Sequence, residues 1–319
     1  MKKKILLITG DPNSINSEII CKALKNLKKK FKKNIFLISN YKLLEKQFKL
    51  INCKEKLVKI NSFEDFKNKN YIKIFDLSLK FKDPFNVSTN EASRFVLNCL
   101  NFAHKLAISN KNVALINCPI NKKLIKNKGP GITEYLANKN NLKNNSEVML
   151  IKSNNLAVCP ITTHIDIKQI SKKINKSIIV KKVKRINSWY KSNLKKKPSI
   201  AILGLNPHNA ELKKSSEEKK AIIPAIRQLN KNGIKVKGPL ISDTIFIDKY
   251  KDFDVIVGMY HDQVLTPFKT LYKFDAINIT LGLKYLRVSP DHGTAYDLIK
   301  KNKASSESLE KCIKFIHKF

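Results

Sequence analysis

No apolar run in this 319-residue chain approaches the roughly 18–20 residues that a membrane-crossing helix requires. The opening Met1-Lys2-Lys3-Lys4, followed by Ile5 to Ile8, imitates a signal peptide. Its apolar stretch is too short and Asp11 stands where a cleavage region belongs, so a buried first strand is expected. Cysteine pairs at metal or redox spacing are absent. Cys21, Cys53, Cys99, Cys118, Cys159 and Cys312 form no C-x-x-C, which argues against a cysteine metal site and leaves reduced, mostly buried thiols of a cytoplasmic protein as the expectation. No G-x-G-x-x-G is present, and Gly10-Asp11-Pro12 lacks phosphate-cradling glycines, so a standard Rossmann site is not indicated. Arginine is scarce too: Arg94, Arg185, Arg227 and Arg287 are the only four among 63 basic residues.

That scarcity governs how the net charge of +38 is read. A basic chain suggests a nucleic-acid partner, but readers of nucleic acid favour arginine for bidentate and stacking contacts. Here the excess is lysine, scattered along the whole chain with abundant Asn and Ile. A solvated lysine-coated surface follows, with loose, salt-sensitive attraction to polyanions and no specific nucleic-acid site. A polyanion-binding protein without catalysis is the alternative of another class. Hydrophobic residues at 42%, with 16 Phe and 9 Tyr, provide for a substantial core and exclude a wholly disordered chain.

Apolar β-rich runs alternate with amphipathic stretches, the pattern of a mostly parallel sheet covered by helices. Strands are expected at Ile5–Thr9, Asn34–Ser39, Val113–Asn117, Ile200–Leu205, Val255–Met259 and Ala276–Thr280, with a hairpin of Val148–Ile151 and Leu156–Val158. Helices are expected at 16–30, 92–109, 167–190, 217–232 (stopped by Gly233) and 306–319. The Lys/Asn-rich stretches 121–128 and 138–145 read as loops.

Chemically capable residues gather just beyond the strand ends, where open α/β sheets build their sites. His164 follows the hairpin, His208 follows Ile200–Leu203 in Gly204-Leu205-Asn206-Pro207-His208, and His261 follows Val255–Gly258. Three imidazoles at equivalent positions are a ligand set for one metal ion, or three unrelated structural histidines; their spacing alone does not choose. Asp262 beside His261, and Asp243 after Gly238-Pro239, either orient ligands and handle protons or serve as caps and turns. A second set holds Lys269, Asn278, Arg287 and His292. Arg287 to Thr294 reads as a loop opening a helix, suited to a phosphate or carboxylate. A third set is Asn117-Cys118-Pro119-Ile120-Asn121-Lys122 with Gly129-Pro130-Gly131-Ile132-Thr133-Glu134, a turn running into a helix.

Taken together, these segments resemble the 4-hydroxythreonine-4-phosphate dehydrogenase family of pyridoxal phosphate biosynthesis. The resemblance runs along nearly the whole chain: Gly10-Asp11-Pro12 with Glu18-Ile19, Pro119 to Lys122, Thr163-His164-Ile165, Gly204 to His208, Gly238-Pro239 with Asp243-Thr244, Tyr260 to Gln263, and Asn278 to Thr294. It implies an α/β, two-lobed fold like isocitrate and isopropylmalate dehydrogenases, with α/β/α lobes and an active-site cleft between them. Residues 1–130 with 280–319 would form the first lobe. Residues 131–279 would form the second, with most metal ligands and the dimer interface. The resemblance makes His164, His208 and His261 ligands of one divalent ion (zinc, magnesium or cobalt). It makes Thr133, Lys269, Asn278 and Arg287 substrate contacts; from their own placement, Asp243, Asp262 and Lys269 are expected to be catalytic. Asp291, His292 and Gly293 would contact NAD or NADP. The implied reaction is metal-dependent oxidation of 4-phosphohydroxy-L-threonine to a β-keto acid that decarboxylates to 3-amino-2-oxopropyl phosphate, in a cytoplasmic homodimer with shared sites.

Departures from the family pattern stand at specific positions. Ile132 replaces a substrate-contacting histidine of the family, Asn13 to Ser17 lack its opening-turn glycines, and Val264 stands where glycine usually follows "H-D-Q". An aliphatic side chain cannot donate to an anion, and one lost charge-assisted hydrogen bond costs on the order of 1–3 kcal/mol. The same chemistry on 4-phospho-threonate or erythronate is therefore the runner-up.

Overall fold

The protein is described by a computed structural model at residues 2–65, 70–128, 131–142, 147–273 and 275–319. Its first strands are β1 (Lys4–Ile8), β2 (Ile35–Ser39), β3 (Lys56–Ile60), β4 (Tyr71–Asp76), β5 (Val113–Asn117) and β6 (Val148–Lys152). Then come β7 (Ala157–Pro160), β8 (Ile200–Leu203), β9 (Val236–Leu240), β10 (Val255–Gly258), β11 (Ile277–Leu281) and β12 (Leu286–Pro290). The helices are α1 (Asn16–Asn26), α2 (Lys29–Lys32), α3 (Tyr41–Leu50), α4 (Thr89–Ser109), α5 (Ile132–Lys139) and α6 (Ile167–Lys173). They continue with α7 (Lys176–Trp189), α8 (Ile223–Lys231), α9 (Ser242–Ile245), α10 (His261–Tyr272) and α11 (Glu307–Ile316).

The chain divides into two compact units, Met1–Asn140 with Leu283–Phe319, and Asn141–Gly282. The first boundary falls ten residues beyond the expected 130. The reason is packing: Tyr135 and Leu136 of α5 are buried in the first core with Leu100, Leu115 and Tyr285, so α5 belongs there.

In the first unit the strand order is β3-β4-β2-β1-β5-β12, all parallel. Ile5–Ile8 of β1 and Ile35–Ile38 of β2 are apolar and fully buried, as strands covered on both faces must be. α4 lays Phe95, Val96, Leu100, Ala103 and Ala107 on the sheet at helical spacing. It starts at Thr89, earlier than its apolar stripe suggests, because Ser88 caps the Glu91 N–H and Glu91 completes a capping-box pattern. The switch in strand order around β1 opens a crevice at the carboxyl ends of β1 and β5.

The second unit orders its strands β11-β6-β7-β10-β8-β9. β11, β6 and β7 run antiparallel in turn, confirming the expected hairpin, whereas β7, β10, β8 and β9 are parallel. Its core joins Leu156, Val158, Ile256, Val264 and Phe268. β9 contains the cis Gly238-Pro239 bond and lies at the end of this order, where a proline can interrupt pairing.

Three expectations need correction. Arg287 to Thr294 is not a loop opening a helix: Leu286–Pro290 is strand β12, its Arg287 in register with Leu115. The run pairs because Arg287, Val288, Ser289 and Pro290 are all buried against neighbours. Residues 122–128 form a 3-10 helix, not a loop. The thiols are not all reduced: Cys21 on α1 and Cys53 after α3 are disulfide-bonded with Cα atoms 5.9 Å apart, while Cys99, Cys118, Cys159 and Cys312 are free and buried. A separation of 32 residues hides that pair from the sequence. Gly129 and Pro130 of the third motif, and residues 143–145, lie outside the described residues. Among the described residues no helix is long and apolar enough to cross a membrane.

Candidate active site

The predicted residues of the first unit surround a buried guanidinium. Arg287 is 2% exposed. Its Nε and Nη2 donate to Asn117 Oδ1 at 2.9 and 2.7 Å, and its Nη1 donates to Thr133 Oγ1 at 2.9 Å. β12 lies beside β5 and α5 starts at Ile132, so three distant segments supply this cluster. Burial pushes the Arg287 pKa down to about 10, opposed by the nearby Tyr285 and Glu134. Ile132 is partly buried and packs on the first core, an apolar contact only.

At the crevice, Asp11 is buried and accepts from Asn13 N at 2.9 Å and from the Tyr296 hydroxyl at 2.9 Å. Burial raises its pKa against these donors. Tyr296 also receives Asn121 Nδ2 at 2.5 Å. Gly10 makes this turn possible: its φ is +80°, and a Cβ there would sit 2.6 Å from both Asn16 Nδ2 and the Pro119 carbonyl. Asp291, His292 and Gly293 form the bend after β12, with Asp291 N donating to Ser308 Oγ at 3.0 Å and Gly293 exposed.

The second unit places His164, His208, Asp243 and His261 beyond the carboxyl ends of four neighbouring parallel strands, β7, β8, β9 and β10. β7 and β10 are stitched together beyond their ends: Ile161 N reaches Gly258 O at 2.8 Å, and Thr162 Oγ1 reaches Met259 O at 2.7 Å. This brings the His164 and His261 rings to a centroid separation of 5.7 Å. Two imidazoles on one ion, each nitrogen about 2.0–2.1 Å from it, have ring centres roughly 5–6 Å apart, so the pair fits a metal. His261 Nδ1 lies 2.7 Å from Asp262 Oδ1, a carboxylate partner that orients the ring.

His208 lies beyond β8. It begins a run in which His208, Asn209, Ala210, Glu211 and Leu212 all have φ between 48° and 57°. Such left-handed backbone costs non-glycine residues roughly 1–2 kcal/mol each. The buried Glu218 anchors its approach, accepting from Leu205 N and Asn206 N, both at 2.8 Å. Burial works to raise the Glu218 pKa, yet these donors outweigh it and the net shift is downward. Among the described residues of one chain, no group of three His, Cys, Asp or Glu is arranged to hold a metal ion.

Asp243 is exposed on α9, and Lys269 is half-buried near the end of α10. Asn278 on β11 has a buried Oδ1 with no hydrogen-bond partner, an acceptor left unsatisfied. Sequence reasoning missed Asn117 as the partner of Arg287, Tyr296, Glu218 and Gln263. Only the crowding of polar residues after apolar strands signalled them.

Each unit is thus an α/β layer with polar groups at its strand ends, the construction of a dehydrogenase-class enzyme. A family model described as pyridoxal phosphate biosynthetic protein PdxA matches residues 31–316, and the chain belongs to that family. It is similar to a 4-hydroxythreonine-4-phosphate dehydrogenase of Sulfurihydrogenibium sp., 41% identical over 96% of this chain and 94% of the relative. A relative from Oceanobacillus iheyensis, provisionally named a D-threonate 4-phosphate dehydrogenase, is 34% identical over 97% and 95%. The solved 4-hydroxythreonine-4-phosphate dehydrogenase of Klebsiella pneumoniae superposes with a TM-score of 0.86 at 29% identity, covering 100% of this chain and 98% of that one.

Proposed function

We propose that this chain is a cytoplasmic, divalent-metal-dependent, NAD(P)-linked dehydrogenase. It oxidises 4-phosphohydroxy-L-threonine to a β-keto acid, which loses CO₂ to give 3-amino-2-oxopropyl phosphate for pyridoxal 5'-phosphate synthesis. The observation that carries this reading is the approach of His164 to His261 at adjoining strand ends, in a chain whose full-length relatives bear this dehydrogenase name. The Cys21–Cys53 bond is the one feature that pulls against a cytoplasmic location.

When bound, the divalent ion (zinc, magnesium or cobalt) supplies Lewis acidity at the substrate oxygen, and the nicotinamide supplies the hydride acceptor. The protein's own share is positioning and charge. Asp262 holds His261 so that the same nitrogen always faces the ion. Asp243, exposed beyond β9, takes the alcohol proton. Thr133, Lys269, Asn278 and Arg287 bind the anionic and polar groups of the substrate. The bend at Asp291, His292 and Gly293 contacts the nicotinamide cofactor.

The third imidazole, His208, comes from a second copy of the chain in a homodimer with shared sites. The loops carrying these groups also expose Ile165, Ile167, Leu212, Ile241 and Ile247, with Ile167 at 80% and Ile247 at 69%. A concentration of exposed apolar side chains marks an interface.

The test is turnover of 4-phosphohydroxy-L-threonine, 4-phospho-threonate and 4-phospho-erythronate with NAD⁺ and NADP⁺, alongside metal analysis. Turnover of the first compound, abolished by chelator, is expected. Turnover indifferent to chelator overturns the metal assignment. Exclusive turnover of a threonate or erythronate phosphate establishes the second reading, which Ile132 favours because it provides no donor.

A further inference from the structure

One side chain ties together the loops that bear the proposed metal and proton-handling groups. Gln263 sits in the first turn of α10, two residues after His261. Its Oε1 accepts from Met259 N at 2.6 Å, and its Nε2 donates to Gly204 O and to Ser242 Oγ, both at 2.7 Å. The orientation of the amide is fixed by its partners, since Met259 N only donates and the Gly204 carbonyl only accepts. Met259 leads from β10 to His261, Gly204 leads from β8 to His208, and Ser242 precedes Asp243 after β9. The pocket for this amide is built in: a Cβ on Gly258 would lie 2.9 Å from Gln263 Oε1 and 2.5 Å from Val264 Cγ1.

We infer that Gln263 is a positioning residue, a neutral clamp that sets the His208, Asp243 and His261 loops in register so that the chain can bind its divalent metal. This rests on the metal reading above. The His208 run is left-handed and unfavourable for its side chains, so its base at Gly204 must be held from outside the run. Gln263 does this from α10, while Glu218 holds the next two residues. A glutamine suits the task where a carboxylate does not. Glutamate would keep the Met259 bond but turn a second oxygen against the Gly204 carbonyl.

The experiment is a titration of the metal-free full-length protein with Co²⁺, followed through its visible absorption. Wild type is compared with Gln263→Ala, Gln263→Glu and, as a packing control, Leu265→Ala in the same helix. Expected is one Co²⁺ site per chain in wild type, with affinity weakened about 10–100-fold and an altered spectrum in both Gln263 variants. Leu265→Ala, although less stable, should keep the wild-type affinity and spectrum. Gln263 variants with wild-type affinity overturn the inference. So does loss of affinity in Leu265→Ala equal to theirs, which would make the role merely structural. A wild-type protein without a Co²⁺ site overturns the metal reading, and the clamp falls with it; the wild-type arm therefore separates the two failures.

Discussion

The two units handle their polar groups in opposite ways. In the first, the charged residue expected to meet substrate is buried and held in place: Arg287 is gripped by Asn117 and Thr133. In the second, His164, His208, Asp243 and Asp262 are exposed among exposed isoleucines, while of their supports Glu218 is buried and Gln263 partly so. The first unit is finished as a single chain. The second leaves its polar groups at the surface, beside exposed apolar side chains. Removing a group that holds the buried Arg287 should therefore cost stability, whereas removing an exposed imidazole or carboxylate of the second unit should cost function and little stability.

The largest stability effect is expected at Asn117. Replacing it with Ala leaves two buried guanidinium donors unmet, a loss of about 2–4 kcal/mol by chemical denaturation. A cost below about 0.5 kcal/mol, the size of an ordinary surface change, would erase the contrast between the units. Glu218→Gln comes next, at about 1–3 kcal/mol near neutral pH. The Glu218 pKa is lowered from 4.5 by folding, so its contribution is complete above pH 4.5 and lost as pH falls through the folded value. The gap between wild type and Glu218→Gln should shrink on acidification, and a gap that widens would contradict the anchoring role. Smallest is Ala210→Gly, which relieves left-handed backbone and should stabilise by about 1 kcal/mol, read as a rise in Tm. A fall in Tm would show that the run is not strained.

Much of this was visible in the chain itself. Buried apolar strands and the α4 stripe announce themselves by period, and the three histidines stand out because each follows such a strand. β12 was hidden because Arg-Val-Ser-Pro has the composition of a loop, and its burial depends on β5, some 170 residues earlier in the chain. β9 was hidden because Gly-Pro reads as a turn. The Cys21–Cys53 bond and the Asn117–Arg287 grip depend on tertiary proximity that no local pattern encodes. The lysine excess fits a dehydrogenase with a heavily solvated surface, and the polyanion-binder alternative gains nothing from the family to which the chain belongs.

The central claim is that His164 and His261 of one chain meet His208 of another. The most direct measurement mixes two inactive variants, His208→Ala and His261→Ala, unfolds and refolds them together, and assays the product. A shared site predicts about a quarter of wild-type activity, because half the random dimers are mixed and each of those rebuilds one of two sites. If the mixture stays as inactive as its parents while refolded wild type recovers, all three imidazoles belong to one chain and the account is wrong.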